Sequence, residues 1–177
     1  TPEYLQAKMS EGKAIIATDD VTGEFVGFCY VETWEHGKFV ANSGLIVKPS
    51  YRQYGVAKAV KAKAFELSRS RYPDAKIIGI TTSLAVMKIN SDLGYLPTTF
   101  SELPVDDNFW KGCESCVNYD ILTRTNGKIC LCTGMIYDPT ASVAKSEEEA
   151  DEKWIFLKNL SVFNKLKKFK EKLLMPF

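Results

Sequence analysis

The chain has 177 residues, with 23 Lys and Arg against 22 Asp and Glu, and 45% of it is apolar. That length fits one domain with an appendage, and a formal charge of +1 gives no global basic field for nucleic acid. No apolar run is long enough to span a bilayer and no signal peptide opens the chain, so five cysteines, an odd number, point to free thiols in a reducing, cytoplasmic compartment.

Thr1-Pro2-Glu3-Tyr4 opens a short helix, with Thr1 as its cap and Pro2 at the first helical position. Leu5 and Met9 share a face of it, and Gly12 closes it. Residues 13–18, 24–34 and 39–47 read as three strands joined by turns at Asp19-Asp20-Val21-Thr22-Gly23 and Glu35-His36-Gly37-Lys38. The second is apolar on both faces, which suits a central strand. Short connections make the three an antiparallel meander.

Leu45, Ile46 and Val47 end the third strand, and Pro49 stops it because proline has no N–H to give a ladder. Arg52-Gln53-Tyr54-Gly55-Val56-Ala57 then turns into a helix. The first N–H groups of a helix have no partner inside it, and its dipole places partial positive charge there. Strand, tight glycine turn and helix therefore form an anion cradle suited to a phosphate or pyrophosphate, with Lys58 beside it. The loop lacks the Gly-Lys-Ser/Thr ending of a Walker loop and is not Gly-x-Gly-x-x-Gly.

The helix is expected from Val56 to about Arg71, with Val56, Val60, Ala64 and Leu67 on its apolar face. Lys58, Lys61, Lys63 and Arg69 fall on the outer faces, where solvation is the default for a lysine. Residues 76–82 form a strand, and a helix with Ala85, Ile89 and Leu93 in step is stopped by Gly94. Tyr95 begins another strand. Further on, 97–103 reads as strand and turn and 106–110 as a helical turn. Residues 117–122 and 128–137 are expected as a hairpin about Asn126-Gly127. Past 140 a linker leads to a helix with the stripe Phe156, Leu160, Phe163, Leu166, Phe169 and Leu173. Its mixed charges favour packing on its own domain or on a second subunit, as in a homodimer, over a membrane surface. The domains are then 1–139 and 140–177.

Arg52, Gly55 and Ala57 fill the pattern Arg/Gln-x-x-Gly-x-Gly/Ala after a strand that ends near a proline. In this the segment resembles the acyl-CoA-binding motif of the GNAT superfamily of N-acyltransferases. The element order is similar to that family's core from its second helix onward, and its first strand and helix would lie upstream of Thr1. Asp92-Leu93-Gly94-Tyr95 matches the end of a second family motif, but Ser83 stands for its asparagine and Asn90 for its tyrosine. In the family that tyrosine donates a proton to the leaving CoA thiolate. Asn90 cannot be such an acid, though it can hydrogen-bond the sulfur.

The resemblance implies an α/β fold, a mixed central sheet with flanking helices. It also implies transfer of an acetyl or other short acyl group from acyl-CoA, acetyl-CoA first, to a primary amine of a small molecule. Backbone groups of Leu45, Ile46 and Val47 would pair with the pantetheine arm, and an N–H there would face the oxyanion. Arg52, Gln53, Tyr54, Gly55, Val56, Ala57 and Lys58 would hold the pyrophosphate. Glu32 and Glu35 are the carboxylates placed to take the amine's proton. A narrower likeness lies in Val-Ala-Asn-Ser-Gly-Leu-Ile-Val, Ala-Val-Met-Lys-Ile-Asn-Ser-Asp-Leu-Gly-Tyr and Phe-Trp-Lys-Gly-Cys-x-Ser-Cys-Val-Asn-Tyr. These are similar to bacterial GNAT proteins of arginine biosynthesis, which implies glutamate as the amine and acetyl or succinyl as the acyl group.

Cys113-x-x-Cys116 and Cys130-x-Cys132 pose a zinc reading, since close thiolate pairs are what tetrahedral zinc takes. In the expected hairpin Thr125 pairs with Lys128, and Cys116 then lies roughly 23 Å from Cys130 at the usual strand rise. One ion cannot bridge that, so no metal is expected. His36, the single histidine, lies in a turn. Two other classes stay open: a non-catalytic acyl-CoA sensor, and an interaction module that works through the hairpin and the basic helix.

Overall fold

The computed structural model describes residues 1–141. The chain divides into a unit Thr1–Pro139 and a unit Thr140–Phe177. The stripe from Phe156 to Leu173 lies outside the described residues.

Helix α1 (Pro2–Ser10) starts where the Thr1 hydroxyl accepts the Tyr4 N–H, with Pro2 in the first turn. Strands β1 (Ala14–Thr18), β2 (Phe25–Trp34) and β3 (Phe39–Val47) form the expected antiparallel meander. Helix α2 (Val56–Arg71) carries the chain across to β4 (Lys76–Thr81), which pairs parallel with β3, as a helical crossover requires. Helix α3 (Leu84–Asp92) and the short β5 (Leu96–Thr98) follow. A long excursion over residues 99–132 holds α4 (Asp107–Trp110) and α5 (Tyr119–Arg124), and β6 (Thr133–Tyr137) returns to the sheet. The strand order is β1-β2-β3-β4-β6-β5, so the last strand inserts between β4 and β5.

Both faces of the central strands are covered, which is why β2 and β4 read as apolar throughout. On one face Val31, Val40 and Ile77 pack with Ala75, Tyr95 and Met135, flanked by Phe65 and Leu67 of α2 and Met87 of α3. Cys29 meets Val60 and Ala64 of α2 nearby. On the other face Ala41 and Ile78 pack under Phe100, Leu103 and Leu122 of the excursion.

The hairpin expected about Asn126-Gly127 does not form. Residues 119–124 are α5, and the Gly127 N–H returns to the Leu122 carbonyl at 2.9 Å. Asn126 and Gly127 have φ of 52° and 75°, so they close a helix instead of turning a strand. Asn-Gly supplies left-handed backbone to either structure, and the burial of Leu122 under the sheet decides for the helix. Of the second expected strand only Thr133–Tyr137 is extended, and its partners are β4 and β5. The wide separation of Cys116 from Cys130 rested on that hairpin and falls with it.

Candidate active site

Strands β3 and β4 pair only from Phe39–Lys76 to Ala41–Ile78 and then part. The cause sits in β3. Its register against β2 slips between the Phe28–Ile46 and Tyr30–Ser43 pairs, so β3 carries one extra residue there. Gly44, at φ 64°, takes up the slip, and a Cβ on it would lie 2.7 Å from the Tyr30 ring. A bulge of this kind bends its strand and frees its edge. The gap is a cleft of about 340 Å³, with Asn42 to Leu45 on one wall and Gly79 to Thr81 on the other. Lys61 of α2 and Asn90 of α3 also line it.

The start of α2 lies beyond the end of β3. Gly55 caps it at φ 82° with no side-chain hydrogen bond, and the first intrahelical bond runs from the Ala59 N–H to the Gly55 carbonyl at 3.0 Å. The N–H groups of Val56, Ala57 and Lys58 therefore face out of the helix end. Nothing lies within 4 Å of the Cβ position of Gly55. Gln53 holds a left-handed φ of 70° without being glycine, a conformation that costs energy and gathers at functional turns. Arg52 Nε donates to the Val47 carbonyl at 3.2 Å and ties the turn to the strand end. Tyr54 is exposed. Lys58 Nζ pairs with Asp92 Oδ2 at 3.0 Å, so its charge is shared with the end of α3.

Glu32 lies on a second cavity of about 260 Å³ with Tyr4, Tyr30, Trp34 and Asn108. That cavity shares Ala41, Ser43, Phe109 and Gly112 with the cleft. The Glu32 carboxylate is fully engaged: Lys8 Nζ sits 2.6 Å from it, the Tyr4 hydroxyl donates to it, and the Thr33 N–H reaches it at 3.1 Å. Burial pushes its carboxyl up, but Lys8, Tyr4 and Thr33 outweigh that and hold it below the ordinary value. Glu35 is elsewhere. At φ 48° in the β2–β3 turn, it accepts the Val105 N–H at 2.8 Å and lines neither cavity.

Asn90 is 1% exposed and lines the cleft beside Gly79, where a Cβ would come within 3.2 Å of its Nδ2. Its Nδ2 approaches Met135 Sδ at 3.6 Å, while its Oδ1 has no hydrogen-bond partner. A buried amide oxygen left unsatisfied is costly, and it marks a place where a bound group completes the bonding.

Lys61 was expected on a solvated face and is instead 2% exposed. Its Nζ donates to the Asn42 carbonyl at 3.3 Å and sits 5.5 Å from the centre of the Tyr95 ring. Burial pushes its ammonium down to about 8. Around it, Asn42 Nδ2 donates to Ser68 Oγ at 2.7 Å, and the Tyr95 hydroxyl donates to Asn42 Oδ1 at 3.2 Å. The signal was present in the sequence: Lys61, Ala64 and Ser68 share a helical stripe, and two small residues leave room beneath α2 for a long side chain.

The chain thus combines a cleft at parting parallel strands, lined from α2 by Lys61, with an α2 that opens on a glycine with no side-chain cap. Residues 1–88 match the model of the acetyltransferase (GNAT) family. This is a GNAT fold. Among solved structures, N-acetylglutamate synthase from Neisseria gonorrhoeae, complexed with coenzyme A and N-acetyl-glutamate, aligns at TM-score 0.55 and 17% identity over 78% of this chain. The alignment spans only 28% of the gonococcal protein. A Mycobacterium tuberculosis protein complexed with CoA aligns at TM-score 0.55 and 12% identity over 78% of this chain and 81% of its own. A GNAT phosphinothricin acetyltransferase from Sinorhizobium meliloti, in complex with AcCoA, aligns at 0.51 and 12% over 77% and 68%. No curated protein matches the sequence. These neighbours share the fold of this chain. Among the described residues, no helix is long and apolar enough to cross a membrane.

Proposed function

We propose that the protein is an acyl-CoA-dependent N-acyltransferase that moves an acetyl or other short acyl group to the primary amine of a small molecule. The observation that carries this is the β3–β4 cleft, lined from α2 by Lys61, in a chain whose α2 opens on a glycine with no side-chain cap. The CoA pyrophosphate would lie on the N–H groups of Val56, Ala57 and Lys58, reached by Arg52 and flanked by Gln53, Tyr54 and Gly55. The pantetheine arm would run along the free edge of β3 at Leu45, Ile46 and Val47. A backbone N–H of that edge would stabilise the oxyanion.

The amine would enter by Tyr4, Tyr30 and Glu32. Glu32, held ionised, attracts the ammonium form, and the proton leaves to water before attack. A carboxylate kept this acidic is a poor base, so its part is positioning. The neutral amine attacks the thioester carbonyl, the C–N bond forms, and the C–S bond breaks from the tetrahedral intermediate. Lys61 would give the departing thiolate its proton, and Asn90 would hydrogen-bond the sulfur. A donor near 8 suits a thiolate whose conjugate acid lies at about 8.5 or above. This answers the missing tyrosine at position 90. The likeness to arginine-biosynthetic GNAT proteins makes glutamate the first amine to try.

The test is a titration of acetyl-CoA and succinyl-CoA on wild type and Ala57→Glu. Position 57 is helical, so an acidic residue in that first turn favours the helix while it repels a pyrophosphate. Gly55 is unsuitable for this purpose, because its φ of 82° strains any replacement. Micromolar binding by wild type, weakened about tenfold or more in the variant (~1.4 kcal/mol), supports the cradle. A folded wild type that binds neither acyl-CoA ends the reading. Binding without CoA release on any amine would favour the sensor.

A further inference from the structure

Strand β2 presents Tyr30, Glu32 and Trp34 on one face, two residues apart, opposite Ser43, Ala41 and Phe39 of β3. With Tyr4 of α1 and Phe109 of α4 they line the cavity of about 260 Å³ that adjoins the cleft. Its aromatic side chains meet edge to face in two pairs, Tyr4 with Tyr30 at 5.7 Å between ring centres and Trp34 with Phe109 at 5.6 Å. Flat apolar walls of this kind take an aromatic body, since edge and face contacts add to the area that the ring buries. The volume admits one ring on a short chain. Trp34 Nε1 is also buried with no hydrogen-bond partner among the described residues. Such a donor is costly, and a group that bonds it on binding removes the cost.

The lining is as selective in charge. Of its nine residues Glu32 alone is charged, and none is Lys, Arg or His. Among the described residues, Lys8, Lys111 and Lys61 stand around it, each engaged. Lys8 lies 2.6 Å from Glu32, the exposed Lys111 donates to Asn108 Oδ1 at 2.9 Å, and Lys61, buried on the cleft side, donates to the Asn42 carbonyl at 3.3 Å. A carboxylate brought in would shed its water with no free cation to meet it, and would face Glu32. An ammonium is drawn by the same residue. Glutamate carries two carboxylates and fits this lining poorly.

We propose, on the acyltransferase reading above, that the acceptor is a primary monoamine on an aromatic body that carries an oxygen acceptor and no carboxylate. The ring would lie among Tyr4, Tyr30, Trp34 and Phe109, with its oxygen on Trp34 Nε1. The nitrogen would pass Glu32 and reach Ala41 and Ser43, which line cavity and cleft alike. There the C–N bond forms and the C–S bond breaks. The ammonium loses two protons overall, one to water and one that replaces the proton given to the CoA sulfur, so the products are the N-acyl amine and CoA.

The experiment measures CoA release from acetyl-CoA with tyramine, phenethylamine, tyrosine and glutamate, on wild type and Trp34→Phe, beside a direct acetyl-CoA titration of both. Expected in wild type is a kcat/KM for tyramine about tenfold or more above tyrosine and glutamate, and above phenethylamine by a smaller factor. That ranking needs no variant. Trp34→Phe keeps a ring and removes the N–H, so it should raise the tyramine KM towards that of phenethylamine with acetyl-CoA affinity unchanged. A merely structural tryptophan would leave the ratio of the two amines as it was, and a tyramine preference that survives in the variant overturns the proposal. So does faster release with glutamate or tyrosine on an enzyme that binds acetyl-CoA, which leaves the acyltransferase reading standing. Failure to bind acetyl-CoA ends that reading and this proposal with it.

Discussion

Lys61, the proposed proton donor, is set against stability by its own burial. Its ammonium is buried without a carboxylate beside it, and the gap between about 8 and the ordinary 10.5 corresponds to ~3 kcal/mol of unfavourable burial. The sign follows from proton binding. Between those two values the unfolded chain binds the extra proton, so stability rises with pH across that window, and the full penalty stands below it. Lys61→Met should therefore stabilise the fold by about 1–3 kcal/mol at pH 7, with the gain shrinking towards pH 10. Urea unfolding at both pH values measures it. Turnover should fall while acetyl-CoA affinity changes little. Wild-type kcat should also lose an alkaline limb in the variant, whereas a merely structural lysine would leave the pH profile unchanged.

Helix α1 is tied to the sheet by polar contacts and by the edge-on pairing of the Tyr4 and Tyr30 rings. Lys8 is itself buried, and with Tyr4 it converges on Glu32 of β2. Glu32→Gln should cost about 2 kcal/mol at pH 7. Because the folded carboxyl is held low, its stabilising share is present above the ordinary value and is lost as pH falls through the lowered one. The gap between wild type and variant should therefore close in acid, as denaturant midpoints at neutral and low pH would show. Gly44 is a fixed point of β3. Gly44→Val meets both a left-handed φ and the Tyr30 ring, and should cost more than about 2 kcal/mol. The meander, α2 and its glycine cap were legible because period, caps and breakers all act locally. The bulge at Gly44 was not, since a glycine inside an apolar strand does not say which register its neighbours take. The excursion misled for a related reason. Asn126-Gly127 fits two structures, and only the distant sheet face that buries Leu122 chooses between them. Asn90 was legible through the motif it breaks, whereas the burial of Lys61 was legible only through the small residues Ala64 and Ser68 on its own stripe, a weaker signal than the default of a solvated lysine.

At the scale of the molecule, the strands part where the ligand would act as the missing member of the sheet. Acetyl-CoA should therefore slow amide hydrogen exchange at residues 44–47 and 53–58 together, with little change in β1. Protection confined to one of the two segments would contradict a cofactor that spans both. The strand order has a further consequence, for synthesis on the ribosome. β5 has β6 as its sheet partner, and β6 is made after it. Until residue 137 leaves the exit tunnel, β4 presents Ile77, Ile78 and Ile80 along an unpaired edge. A nascent chain at that stage is a template for wrong pairing. Translation paused inside the excursion should leave the protein dependent on a chaperone, and the last strand to emerge is the one that makes the sheet safe.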